Sequence, residues 1–434
     1  MHVEGLGVKD APVQGAEGED RRRERFGRWF VLLGVFAGLA ASPQSRAGRT
    51  LMRGHPIVTW NESDESRSAR WRSESGMPPP RRVVIADDRT TADAAYRLAC
   101  EGTAMLWRGD FQNARQLLQA MARRGDSKPA RRNRTGSAPQ QALPAEAFHL
   151  HRQAQSQRAR TLAMLLVHFE ADHAIPLRRA PDVRQACREA YGPGDVPYVA
   201  SLRELLGLIG AHEWRKNGIE VPALAARIYP HYGVFAPVRS EYVGLVATAP
   251  LPDPVPALAF DIGTGTGVLA AVLARRGIAR VVATDQDPRA LACATENIGK
   301  LGLAETVEIV RANLFPPGRA ALVVCNPPWL PARPSSPIEH AIYDPDSCML
   351  RGFLGGLVAH LAPEGVGWLV LSDLAERLGL RSRNELTATI AEAGLKVLGR
   401  MEVRPDHARV FDIADPLHAA RSAEVTSLWR LAAA

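Results

Sequence analysis

"FDIGTGTG", residues 260–267, ends an apolar, strand-like run and opens the helix-like "VLAAVLARRG". Glycines 263, 265 and 267 let backbone approach a ligand closely, and the helix start beyond them offers free N–H groups. A lone glycine-rich turn is weak evidence. Here the next strand-like run, "RVVATD" (280–285), ends in Asp285, where a carboxylate can accept hydrogen bonds from ribose hydroxyls. The two features together point to a nucleoside-containing cofactor. The spacing is G-x-G-x-G, with Val268 where the dinucleotide fingerprint has its third glycine. Asp261 also sits in the turn, where its charge opposes a pyrophosphate and suits a cationic ligand carrying an amino group. NAD is disfavoured and a sulfonium nucleoside favoured.

Working outward, the runs "ALAFDIG", "RVVATD", "TVEIVRANLF", "ALVVCNPP", "GVGWLVLSD", "LKVLGRMEVRP" and "EVTSLWRL" read as strands, several separated by helix-like runs. In "PRALACATENIGKLG", Leu291, Ala294, Ile298 and Leu301 line one helical face. Strands alternating with helices imply parallel βαβ units in an open sheet with right-handed crossovers. "LFPPGRA" is too short for a helix, and the long loop before the last strand suits an antiparallel edge pair. The fourth strand stops in "VVCNPPWLP" (323–331), because Pro327 and Pro328 lack the ladder N–H. Ligands of open α/β sheets sit where strand order reverses. With the fourth strand beside the first, Asn326 stands next to the glycine loop, placed to hold a flat amine or amide.

"DIGTGTG", "TDQDPRAL" and "VVCNPPW", in this order, resemble the class I S-adenosylmethionine-dependent methyltransferases with an N/D-P-P-aromatic motif. That group includes HemK-like release-factor glutamine methyltransferases, ribosomal RNA guanine methyltransferases and adenine-N6 methyltransferases. The resemblance covers roughly residues 229–431. It implies a Rossmann-like seven-stranded α/β sheet with an antiparallel edge pair, and S-adenosyl-L-methionine as cofactor. Asp261, Gly263, Gly265 and Gly267 would hold the methionine part and Asp285 the ribose. Phe235 and Pro237, in "YGVFAP" (232–237), would close over the cofactor, and Asn313 would face the adenine amino group, where many relatives carry Asp. The Asn326 side-chain oxygen and the Pro327 carbonyl would accept from the target –NH2, and Trp329 would stack on its plane. "YDPDS" (343–347) either lines a substrate pocket or caps the helix that follows, and Cys325 reads as a buried strand residue.

The rest of the chain is read more coarsely. Residues 1–84, rich in Arg, Ser, Glu, Gly and Pro, are expected to be a disordered or leader-like extension, 85–215 a mainly helical substrate-recognition domain and 216–434 the methyltransferase domain. Helices are expected from Thr91 to about Arg124, broken at "RGD" (108–110), from Pro144 to about Val167, and over 201–218 with Gly218 as closing residue. His149 and His151, spaced i, i+2, do not share a helix face. With five scattered cysteines and no CxxC, neither a metal site nor a disulfide framework is expected. The apolar run from Trp29 to Ala41 falls short of the ~20 residues of a membrane span. It reads as an export signal, a surface helix or an upstream extension, with Met52 and Met77 as alternative starts. A cytoplasmic protein without stable membrane association is expected, consistent with a mean hydropathy of −0.14.

The net charge of +8 leans toward nucleic acid, although a solvated linker explains the basic stretch 123–140 as well. The macromolecular partner is therefore a protein glutamine, as in a release factor, or an exocyclic amine of ribosomal RNA, transfer RNA or DNA. Competing readings are a non-catalytic S-adenosylmethionine-binding module, a small-molecule methyltransferase and an NAD-dependent oxidoreductase.

Overall fold

The computed structural model describes residues 55–126, 143–334, 337–406 and 411–434. The leader-like run 21–42, Met52 and most of the basic stretch 123–140 lie outside the described residues. The first sheet corrects the sequence reading. β1 (Ile57–Glu62), β2 (Glu65–Trp71), β3 (Arg82–Ala86), β4 (Thr103–Trp107), β5 (Leu165–Phe169) and β6 (Tyr198–Ser201) pair in the order β1-β2-β6-β5-β4-β3. Ordered structure thus begins well before residue 85, and 85–215 is an α/β layer rather than mainly helical.

The physical reasons are local. β1 and β2 form a hairpin whose turn residues, Ser63 and Asp64, both take positive φ (54° and 64°). Such turns are usually announced by Asn-Gly or Asp-Gly, and no glycine stands here. Val58, Trp60 and Trp71 are buried while the polar side chains of β2 face water, so a Ser/Arg/Glu-rich composition hides a one-sided strand pair. "TAMLW" is buried at every position, between α1 (Ala92–Cys100) and α2 (Phe111–Asp126). "LLVHF" follows α3 (Pro144–Leu162) in the same way. Five-residue buried strands show no alternation to separate them from a continuing helix. α4 (Arg184–Tyr191) and α5 (Leu202–Asn217) complete the layer. Ser201 caps α5 at one end and Gly218, at φ 67°, closes the other.

The short pair β7 (Ile219–Val221) and β8 (Ala226–Ile228), segment 229–240 and α6 (Glu241–Thr248) lead into the second sheet. Its strands are β9 (Leu258–Ile262), β10 (Arg280–Asp285), β11 (Val307–Arg311), β12 (Ala320–Cys325), β13 (Leu361–Ser372), β14 (Leu395–Val403) and β15 (Thr426–Ala433). They pair in the order β11-β10-β9-β12-β13-β15-β14. The first five are parallel, and β15 runs antiparallel to both β13 and β14. This is the expected seven-stranded sheet with its antiparallel edge. One face is covered by α6, α7 (Val268–Arg275) and α8 (Pro288–Lys300), the other by α9 (Cys348–His360) and α11 (Arg383–Glu392). The four-residue α10 (Leu374–Arg377) precedes α11. No helix among the described residues is long and apolar enough to cross a membrane.

The first layer meets the second sheet through the segments that follow β10 and β12. After β10, Arg289 in the first turn of α8 pairs with Glu74 at 2.8 Å. Farther along α8, Glu296 binds Arg215 and His231, each at 2.7 Å. After β12, Phe148 of α3 is buried with Leu330, Tyr343 and Leu378. Arg152 lies 4.0 Å from the Tyr343 ring centroid and donates to the Arg333 carbonyl at 2.8 Å. A helix of the first layer thus supports the loop that leaves the Asn-Pro-Pro-Trp turn.

Candidate active site

Strand order reverses between β9 and β12, where Asp261 lies opposite Val324 and Ile262 opposite Cys325. The next residues, Gly263 and Asn326, therefore leave adjacent strands side by side. The glycine loop is folded against β10. The N–H groups of Gly263 and Thr264 both donate to the Thr284 carbonyl, at 2.9 and 2.8 Å. Gly263, Gly265 and Gly267 all have positive φ (73°, 55° and 81°). Their surroundings differ. A Cβ on Gly267 would lie 3.3 Å from Ala294 Cα, so this glycine lets the loop touch α8. A Cβ on Gly265 would meet nothing within 4 Å, so its outer side opens onto free space.

Two carboxylates flank that space. Asp261 is 1% exposed, and its Oδ2 accepts from Thr264 Oγ1 (2.7 Å) and Ala270 N (3.0 Å). Its Oδ1 is buried without a hydrogen-bond partner among the described residues. Burial pushes the Asp261 carboxyl up to about 6. Asp285 accepts from Gly265 N at 3.1 Å and from Asp287 N at 3.0 Å, and burial raises its pKa as well. Among the described residues neither acid is in an ion pair. An orphaned buried oxygen and two uncompensated acids suit a ligand bearing positive charge and N–H or O–H donors.

The other residues expected to contact the cofactor lie in the turn after β11 and in segment 229–240. Asn313 is exposed, in the turn after β11, where Ala312 N donates to the Asp285 carbonyl at 3.2 Å. Thr284 Oγ1 donates to the Leu314 carbonyl at 2.6 Å and holds that turn. Phe235 is half-buried against the α6/α7 side of the core and Pro237 is buried. Segment 229–240 is tied to the glycine loop by Asn297, which sequence reasoning missed. Its Oδ1 accepts from Tyr229 N at 2.8 Å and its Nδ2 donates to the Thr266 carbonyl at 3.0 Å. The available signal was an Asn within the apolar stripe of α8, one turn after Ala294.

At the end of β12, Asn326 is half-buried and Pro327 buried. Trp329 Nε1 donates to Asn326 Oδ1 at 2.9 Å, so two residues expected to act separately touch each other. The Arg239 guanidinium lies 4.9 Å from the Trp329 ring centroid, a contact no local motif announced. Of the two readings of "YDPDS", helix capping describes Asp344: its carboxylate accepts from Met349 N (3.0 Å) and Leu350 N (3.1 Å) at the start of α9. Cys325 is fully buried and burial pushes its thiol pKa well up, which suits a strand residue and not a nucleophile.

Residues 226–371 match the family described as methyltransferase small domain. This segment is a class I S-adenosylmethionine-dependent methyltransferase domain. The chain is 33% identical over 182 residues to the release factor glutamine methyltransferase of Cereibacter sphaeroides, covering 39% of this chain and 61% of that protein. It is 49% identical over 69 residues to the ribosomal protein L11 methyltransferase of Pelotomaculum thermopropionicum, covering 15% and 22%. It is 31% identical over 126 residues to the tRNA1(Val) (adenine(37)-N6)-methyltransferase of Bacteroides thetaiotaomicron, covering 27% and 53%. In each case the chain spans less than two thirds of the relative's length. S-adenosylmethionine is the cofactor of the methyltransferase domain, and the acids and open glycine loop fit its amino, sulfonium and ribose groups.

Proposed function

We propose that this protein transfers a methyl group from S-adenosylmethionine to a planar amide or amino nitrogen of a macromolecule. A glutamine side chain in a protein is the first acceptor to test, since a relative matched over 182 residues is named for that reaction. An exocyclic adenine amine in RNA is the second, supported by the tRNA-modifying relative and the net charge of +8. The observation that carries the reading is the side-by-side exit of Gly263 and Asn326 from β9 and β12, with the free oxygen of Asp261 beneath.

In this reading Asp261 and the loop of Gly263, Gly265 and Gly267 hold the methionine part and Asp285 the ribose hydroxyls. Asn313 faces the adenine, while Phe235 and Pro237 close the site from segment 229–240. The cofactor supplies an electrophilic methyl on a sulfonium. Asn326 Oδ1 accepts from Trp329 through one lone pair and keeps the other for an acceptor N–H, which the Pro327 carbonyl shares. These acceptors aim the nitrogen lone pair and stabilise the positive charge that grows on it, without a general base. Trp329 offers an aromatic face to a planar acceptor. Residues 85–215 recognise the acceptor, and α3 links them to the wall of the site.

The test is methyl transfer from labelled S-adenosylmethionine into fractionated cell extract, with Asn326→Ala beside the native chain. Label is expected in protein, at glutamine, and the variant is expected to lose roughly a hundredfold or more in rate. Label in RNA instead selects the adenine reading. An Asn326→Ala chain that labels at the native rate refutes the assignment of the site.

A further inference from the structure

The orientation of Asn326 is held by contacts that run along the same edge of the sheet, past β13 to the start of β15. An indole N–H only donates, so the 2.9 Å bond from Trp329 fixes which end of the Asn326 carboxamide is oxygen. Trp329 is in turn covered by the Arg239 guanidinium, 4.9 Å from its ring centroid. Arg239 has two tethers: Nε donates to Glu241 at 2.7 Å and Nη2 to Glu424 at 3.0 Å. Glu424 is 1% exposed and stands just before β15. Ser372, at the end of β13, donates to it at 2.6 Å, while its Oε2 is buried without a hydrogen-bond partner among the described residues. Among the described residues Arg239 is the only cation paired with this buried carboxylate. Glu424 also lies beyond residues 226–371, outside the segment that defines the family.

We propose that Arg239, anchored by Glu424, is a positioning residue for methyl transfer. It fixes the plane of the Trp329 indole and, through the indole N–H, the orientation of the Asn326 carboxamide. The planar guanidinium fork bridges two carboxylates while stacking on a ring, which a lysine ammonium cannot do. This role deepens the proposed function and rests on Asn326 being the group that receives the acceptor nitrogen.

The test uses the full chain labelled with 15N at its eight tryptophans. Trp329→Phe identifies the Trp329 indole N–H signal, and Asn326→Ala defines its position once the bond is lost. Arg239→Ala and Arg239→Lys are expected to move the signal toward the Asn326→Ala position and to speed its exchange with solvent about tenfold, a kinetic change equivalent to roughly 1.4 kcal/mol. Glu424→Gln is expected to move it in the same direction. Should Arg239→Ala fail to fold, Arg239→Lys, which keeps a cation facing Glu424, carries the test. A Trp329 signal unchanged in folded Arg239→Lys overturns the proposal.

With an acceptor in hand, Arg239→Lys is expected to lower kcat at least tenfold and to leave S-adenosylhomocysteine affinity within twofold. Its loss is expected not to add to that of Trp329→Phe in the double variant, because both act through one bond. Fully additive losses overturn the proposal. A native chain that transfers no methyl refutes the proposed function, and the indole signals still decide the positioning of Asn326.

Discussion

Replacing Gly265 and Gly267 by alanine, one at a time, separates two duties of the glycine loop. Both have positive φ, which costs an L-residue roughly 1–2 kcal/mol. A stiffer unfolded chain returns about 0.4–1 kcal/mol of that. Gly265→Ala places its methyl in open space, so its stability loss stays near 1 kcal/mol, the difference of those two terms. Gly267→Ala adds contacts at 3.3 Å to Ala294 Cα and Cβ and at 3.4 Å to Ile298 Cγ1. Two of these atoms belong to the body of α8, which must shift, and overpacking of this kind costs about 1–3 kcal/mol more. Thermal unfolding and S-adenosylhomocysteine calorimetry on both variants read the two effects. Gly265→Ala is expected to lose tenfold or more in affinity, about 1.4 kcal/mol, with a drop in Tm of a few degrees. Gly267→Ala is expected to fall about two to four times as far in Tm. Native affinity in Gly265→Ala refutes the idea that the ligand fills the space beside that residue. Equal Tm values refute the packing account of Gly267.

Four further outcomes follow from the geometry. Asp261 titrates near 6, so it is neutral in mild acid, and S-adenosylhomocysteine affinity should rise between about pH 5 and pH 7 and then level off, while Asp261→Asn gives a flatter curve. Stability of the free protein has the opposite sign: a raised pKa means the fold favours the proton, so stability declines as pH climbs from about 4 through 6, and a urea titration at several pH values checks it. Asp344→Ala removes the cap of α9 and should cost about 1–2 kcal/mol in urea unfolding; an unchanged midpoint contradicts the capping role. Phe148→Ala truncates a ring that is 2% exposed and should cost about 3–5 kcal/mol, with faster amide exchange at Leu330 and Tyr343; exchange unchanged there contradicts the support of the loop by α3.

The second sheet was legible because its strands are bounded by glycines and prolines and separated by helices with clear apolar stripes. The placing of β9 beside β12 is a condition that the switch point of an open α/β sheet suggests and the observed pairing meets, and with it comes the proximity of Asn326 to the glycine loop. The first sheet was not legible, since its hairpin turns at Ser63-Asp64 without glycine and its central strands are short and buried on both faces. Individual site residues were visible where backbone geometry demanded a residue type, as at Gly267. Arg239, Asn297 and Glu424 act by side-chain contacts between segments distant in sequence, and no local pattern encodes such contacts.

The seating of α3 on the loop from Leu330 to Tyr343 has a consequence for turnover. On the proposed function, a large acceptor that grips the first layer presses on an element one packing contact from the Asn-Pro-Pro-Trp turn. Affinity gained far from the target nitrogen can then be expressed as tighter alignment at that nitrogen. A short mimic carrying only the target group would lack that leverage and would turn over slowly even at saturation. On the proposed function, the first layer then influences how fast a bound acceptor reacts as well as which acceptor binds.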